Sequence, residues 1–101
     1  MNQFSQDGKY NVGTATGTEV WYLQLNEAVS RRLIELMQER GMTQYQLYMK
    51  SGVPKSTIGN LVNCAYPSMK LRVIHELCQG MEIDLSSFFA SPLFDENNLE
   101  P

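Results

Sequence analysis

A glycine and a proline two residues apart, Gly52 and Pro54, fix what the middle of this chain can become. They sit inside Thr43–Asn63, TQYQLYMKSGVPKSTIGNLVN. Glycine takes the left-handed conformation at little cost, so a helix running into Ser51-Gly52 stops there. Proline has its φ preset for a first helical turn and no N–H to leave unpaired, so a second helix starts at Pro54. Upstream, the Thr43 hydroxyl can cap the first of these helices, and Leu47 continues an apolar face that Tyr45 and Met49 partly share. Val53 can pin the turn into a core. Downstream, Ile58, Leu61 and Val62 repeat at i, i+3, i+4, one helical stripe. The opposite face carries Lys55, Ser56, Thr57 and Asn60. Two short helices across a tight turn, the second polar on its outer side, have the layout of a helix-turn-helix.

Charge sharpens this. The chain is acidic, with a net charge of −3 and a pI near 5.0, which argues against a general polyanion binder. Yet residues 43–72 hold Lys50, Lys55, Lys70 and Arg72 and no acid at all. A specific DNA binder needs positive charge on one face rather than in sum.

At 101 residues the chain makes one domain, large enough for a single small core. No apolar run approaches the roughly 20 residues that span a bilayer, and no signal-peptide pattern opens the chain. Cys64 and Cys78 stand in no metal-like spacing and read as reduced thiols, so a cytoplasmic protein is expected. Paired carboxylates, a phosphate loop and a nucleophile–base set are all missing from the pattern; no enzyme and no cofactor is expected. His75, the single histidine, reads as a half-exposed helix residue.

In chain order, residues 1–24 form an N-terminal extension with turn signals at Asp7-Gly8 and Gly13–Gly17. Residues 19–25 read as one short strand, Val20 and Tyr22 on one side, Trp21 and Leu23 on the other. A lone strand is unstable, so docking on the helices or pairing with a second copy is expected. The domain itself covers 25–91. Asn26 is expected to cap a helix running to about Arg40, closed by Gly41, with Val29, Leu33, Leu36 and Met37 inward. Its Arg31, Arg32, Glu35, Glu39 and Arg40 form a solvated face, with Arg31–Glu35 paired at i, i+4. After a loop around Pro67, a fourth helix from Lys70 or Leu71 to Gly80 is expected to bury Leu71, Ile74, Leu77 and Cys78. Asp84 is expected to cap a last helix, Leu85 to about Ala90, whose apolar side is Leu85, Phe88 and Phe89. Residues 92–101 are an acidic C-terminal tail, in which Leu93 and Phe94 can add one more apolar contact and Asp95–Pro101 is expected to fray.

From Asn26 to Phe89 the sequence resembles the lambda-repressor-like, Cro/cI-type (XRE) helix-turn-helix domains. RLIELMQERGMTQYQL, SGVPKSTIGNLVN and LRVIHELCQGMEIDLSSFF carry the likeness in register. The resemblance implies an all-α, compact five-helix bundle whose third helix lies in the DNA major groove. It places Gln44 and Asn63 at backbone-contact positions, Lys55, Ser56, Thr57 and Asn60 on the groove side of the third helix, and Lys70 toward phosphate or the minor groove. The chemistry agrees: Lys55 can donate to guanine, Asn60 can pair bidentately with adenine, and each good base contact is worth ~1–3 kcal/mol. Gln44 and Asn63 can donate to phosphate without reading sequence.

This sequence departs from the family's pattern at four points. Tyr48 replaces a small residue at a helix crossing, and must point outward or widen the packing. Cys64 replaces a common Gly, and Ala65 a common Lys. Gly59 sits inside the recognition helix, where it can allow close approach of the backbone to DNA or of Tyr48 to the helix. The leading expectation is a transcriptional regulator binding double-stranded DNA as a homodimer, through the Val20–Leu25 patch or the Phe88–Phe94 end. The alternative is an antitoxin or protein-interaction module with a protein partner; neither reading involves a membrane.

Overall fold

The computed structural model describes residues 3–4, 9–14 and 19–101. Five helices follow three strands: α1 (Leu25–Glu39), α2 (Gln44–Ser51), α3 (Lys55–Val62), α4 (Leu71–Met81) and α5 (Leu85–Phe89), with a 3-10 turn at Pro92–Phe94. Their apolar stripes converge on one core. Leu33, Leu47, Ile58, Leu77, Cys78 and Phe88 are completely buried in it, and Val29, Leu36, Met37, Val53, Leu61, Ile74 and Met81 complete it. The expected bundle is present, with the Asn26–Arg40 helix shifted by about a residue at each end.

Helix ends show how the pieces are joined. Three helices close with the same bond, from an N–H one residue past a left-handed residue back to a carbonyl five residues earlier: Met42 to Met37, Ala65 to Asn60 and Ile83 to Cys78, at 2.8–3.0 Å. The left-handed residues are Gly41, Cys64 and Glu82. Two arginines of α1 then cover carbonyls at the ends of other helices. Arg32 Nε donates to Phe88 O at 2.7 Å and Nη2 to Ser87 O at 2.8 Å, while Arg40 Nε donates to Met81 O at 3.2 Å. A cation at a helix C-terminus opposes the helix dipole as well as satisfying its carbonyls.

Several expectations change here. Glu35 pairs with Arg32 at 3.2 Å, an i, i+3 pair, and Arg32 is a helix cap, not a solvated side chain. Asn26 is the second residue of α1, so its side chain is free to reach a loop instead of capping. Asp84 caps α5 with its backbone: its carbonyl accepts the Phe88 N–H at 3.1 Å. Leu71 is 64% exposed, because it opens α4 and the first turn overhangs the core that Ile74, Leu77, Cys78 and Met81 fill.

The N-terminal extension holds three strands where one was expected: β1 (Gln3–Phe4), β2 (Lys9–Thr14) and β3 (Glu19–Leu23), antiparallel in that order. Tyr10 faces Tyr22 and Asn11 faces Trp21, with the register shifting between Asn11 and Thr14. Gly13 therefore lies in a strand rather than in coil. The turns expected at Asp7-Gly8 and toward Gly17, and the facing of the Val20 and Trp21 side chains, lie outside the described residues. The tail does not fray. Leu23 N–H donates to Asn98 O at 2.8 Å and Glu100 N–H to Leu23 O at 2.9 Å, so the far end of the chain pairs with β3 and helps bury Leu23. The strand thus finds partners within its own chain.

Candidate nucleic-acid interface

The turn is built as its residues dictate. Thr43 Oγ1 accepts the Gln46 N–H at 3.1 Å, and Gln46 Oε1 accepts the Thr43 N–H at 2.8 Å, a reciprocal cap that starts α2. Gly52 ends it with φ +75°, its N–H donating to Tyr48 O at 2.9 Å. Val53 is 2% exposed and fastens the turn to the core, and Pro54 leads α3 with φ −54°. Ile58 and Leu61 then face inward. The geometry leaves Lys55 and Ser56 exposed and Thr57 and Asn60 half-exposed. Lys50, Lys55, Lys70 and Arg72 all reach solvent, so every cation of the acid-free stretch is exposed.

The expected contact residues fall into separate groups. Gln44 opens α2 and Lys55 opens α3. A Cβ on Gly59 would lie 3.5 Å from Gln44 Oε1, so the Gln44 side chain lies across α3 at that glycine. Lys55 Nζ stands 5.4 Å from the centre of the Tyr45 ring, and Tyr45 in turn tilts against Tyr48 with 6.1 Å between ring centres. An exposed cation–π contact of this kind contributes about 0.5–1 kcal/mol. Tyr48 takes the outward option, 37% exposed, so the neighbour of Gly59 is Gln44 rather than Tyr48.

Thr57, Asn60 and Lys70 gather at the other end, around Tyr66. Asn60 Nδ2 donates to the Tyr66 hydroxyl at 2.9 Å. Thr57, Tyr66 and Lys70 line a cleft of ≈ 440 Å³ whose floor includes Leu61 and Val73. Ser56 and Asn63 are exposed, Asn63 as the C-cap of α3. Tyr45 and Tyr66 are additions that sequence reasoning missed. Each is an aromatic in a polar neighbourhood, a weak signal, and its partner lies six or ten residues away across a turn or loop.

The exit from α3 is held from α1. Ser30 Oγ donates to Val62 O at 3.0 Å, and Asn26 Nδ2 donates to Tyr66 O at 2.9 Å and to Cys64 Sγ at 3.4 Å. Cys64 has φ +54°, the conformation that favours glycine. Burial pushes its thiol up to about 12, with a hydrogen bond to Glu27 and the Glu27 charge adding to the rise. Burial also raises the Cys78 thiol. Both are structural thiols rather than nucleophiles.

This arrangement has counterparts. Two structures of the restriction-modification controller protein C.Esp1396I superpose on the chain. The wild-type crystal structure does so at TM-score 0.60 and 25% identity, over 64% of this chain and 83% of that one. A nucleoprotein complex of the same protein does so at TM-score 0.63 and 22% identity, over 76% and 96%. A search of curated proteins by sequence finds no significant match. Among the described residues no helix is long and apolar enough to cross a membrane. The family profile of the Cro/C1-type helix-turn-helix DNA-binding domain matches residues 32–89, from the first helix through the last, and the chain belongs to that family.

Proposed function

We propose that this protein is a sequence-specific transcriptional regulator that reads the major groove with α3 and binds as a dimer. The observation that carries the reading is the outer face of α3: Lys55, Ser56, Thr57 and Asn60 stand away from buried Ile58 and Leu61, inside an exposed surface with no acid from residue 43 to 72. The likeness to a protein named a restriction-modification controller, and to its nucleoprotein complex, supports a regulator on DNA. Lys55 and Asn60 contact base edges; Gln44, Asn63 and Lys70 contact the backbone; Ser56 and Thr57 fill the groove between.

One such helix reads few base pairs, so two copies on half-sites about 34 Å apart supply the selectivity. Leu25 and Leu71, 57% and 64% exposed, flank an apolar groove of ≈ 210 Å³ lined by Val29, Pro67, Met69, Ile74 and Phe89. It adjoins the loop that carries Tyr66, and a second copy is seated there. Phe88, Phe89 and Phe94 stack on one another at 4.9–6.2 Å, and Phe89 also lines the groove, so this surface joins Leu25 of one expected dimer contact to Phe89 of the other.

Selection from random DNA followed by mobility shift tests the reading. The Lys55→Ala/Asn60→Ala variant is expected to fold normally and lose about 100-fold in specific affinity. Unchanged affinity and sequence preference in that variant would refute it. Four exposed cations in the acid-free stretch set a salt dependence no steeper than about −4 in log–log slope per protomer.

A further inference from the structure

Tyr66 lies half-buried in the loop between α3 and α4, and its ring packs against the core. Its backbone carbonyl is tied to α1 by Asn26 at 2.9 Å. Ring and hydroxyl are therefore fixed independently of DNA. The hydroxyl accepts Asn60 Nδ2 at 2.9 Å.

That bond fixes where the Asn60 side chain stands. A carboxamide has one acceptor oxygen and two N–H donors, and its last torsion is broad and roughly two-fold. Left alone, Asn60 can swing its amide away from a base. With one N–H held by Tyr66, a second N–H and the carbonyl oxygen remain. One donor beside one acceptor matches adenine in the major groove, which offers N7 as acceptor and its amino group as donor. Guanine offers two acceptors there, and sets O6 against the Asn60 carbonyl.

We propose that Tyr66 is a specificity-determining positioning residue: its hydroxyl holds the Asn60 side chain in place, so that the donor and acceptor left on the amide meet adenine already positioned. This rests on α3 being the base-reading helix. Tyr66 itself contacts no base. Removing the hydroxyl frees the side chain to rotate, so adenine loses its preorganised partner, while guanine, which sets an acceptor against the Asn60 carbonyl in either amide orientation, gains nothing.

Selection with wild-type protein and with Asn60→Ala identifies the base pair that Asn60 reads, as the position where the preference for adenine disappears. Affinities are then measured for wild type and Tyr66→Phe on the selected site and on the same site with guanine at that position. Tyr66→Phe keeps the ring and is expected to keep its melting temperature. It is expected to lose about tenfold of the adenine-over-guanine preference, the scale of one hydrogen bond, at that base pair and at no other. Full discrimination in Tyr66→Phe overturns the proposal and leaves the α3 reading standing. An equal loss on every DNA also overturns it, since that is the signature of a structural or phosphate role. If Asn60→Ala changes no base preference, the proposal falls, and the α3 reading stands or falls with the Lys55→Ala/Asn60→Ala variant.

Discussion

Gly59 and Gly80 both sit inside helices, and each costs its helix about 1 kcal/mol relative to alanine. Their surroundings differ. A Cβ on Gly80 would lie 2.7 Å from the Ser51 Cβ and 2.9 Å from the Ser51 Cα and N, so α2 and α4 cross with room for a hydrogen and nothing more. A Cβ on Gly59 meets Gln44 Oε1 at 3.5 Å, an ordinary contact. The close crossing that holds the helix-turn-helix to the bundle is therefore α2 on α4, while α3 meets α2 more loosely on the side that carries the polar face. A helical glycine is explained by what stands opposite it, and sequence does not say what that is.

The comparison can be broken most forcefully at Gly80. Gly80→Ala forces a methyl group into backbone and is expected to destabilise the protein by about 3 kcal/mol, read from urea unfolding. An unchanged midpoint would mean that α2 slides away at little cost. Arg32→Ala is next. It removes two charged donors from the α5 carbonyls and is expected to cost about 2 kcal/mol, with Arg32→Lys recovering little because a lysine cannot fork to both Ser87 and Phe88. Gly59→Ala has the opposite sign: a gain of up to about 1 kcal/mol in stability, with DNA affinity within about twofold. Stability rising while affinity collapses would show that DNA, rather than Gln44, needs that glycine.

The smallest effects concern left-handed residues that are not glycine. Glu82→Gly at φ +59° is expected to gain about 1 kcal/mol, since the exposed Glu82 side chain offsets little of the backbone cost. Cys64→Gly gains less, because it gives up contacts with Asn26 and Glu27. Its advantage is expected to grow with pH. The folded thiol titrates near 12 against an ordinary 9.0, so the protonated form stabilises the fold below pH 9, and that contribution is lost as pH rises toward 12. Equal pH dependence of wild type and Cys64→Gly above pH 9 would contradict this.

Much of the bundle is legible in the sequence, because its signals are local. Thr43 with Gln46, Gly52, Pro54 and the Ile58–Leu61–Val62 stripe act within a turn or two of themselves. The Asn26 cap misled for the same reason. A polar residue just ahead of an apolar stripe looks like a cap, but here its carboxamide serves Tyr66 and Cys64, 40 and 38 residues away. Leu71 misled because an apolar residue in the first turn of a helix continues the stripe whether or not the core extends beneath it. The extra strands were hidden by the polar, glycine-bearing composition of residues 1–24, and the tail by pairing with Leu23 through backbone groups, which leave no trace in side-chain pattern.

The sequence by itself determined the five helices, the turn between α2 and α3, and the polar residues that face outward from α3, because helical period, capping and glycine conformation depend on near neighbours. Only the packing of the helices makes Gly80, rather than Gly59, the helical glycine the fold requires, brings Arg32 to the end of α5, and sets Tyr66 against Asn60 and Tyr45 beneath Lys55. Each of these joins residues from different elements. Their proximity follows from how the core packs the helices, and core packing constrains volume and apolarity without recording which polar atoms it brings within 3 Å.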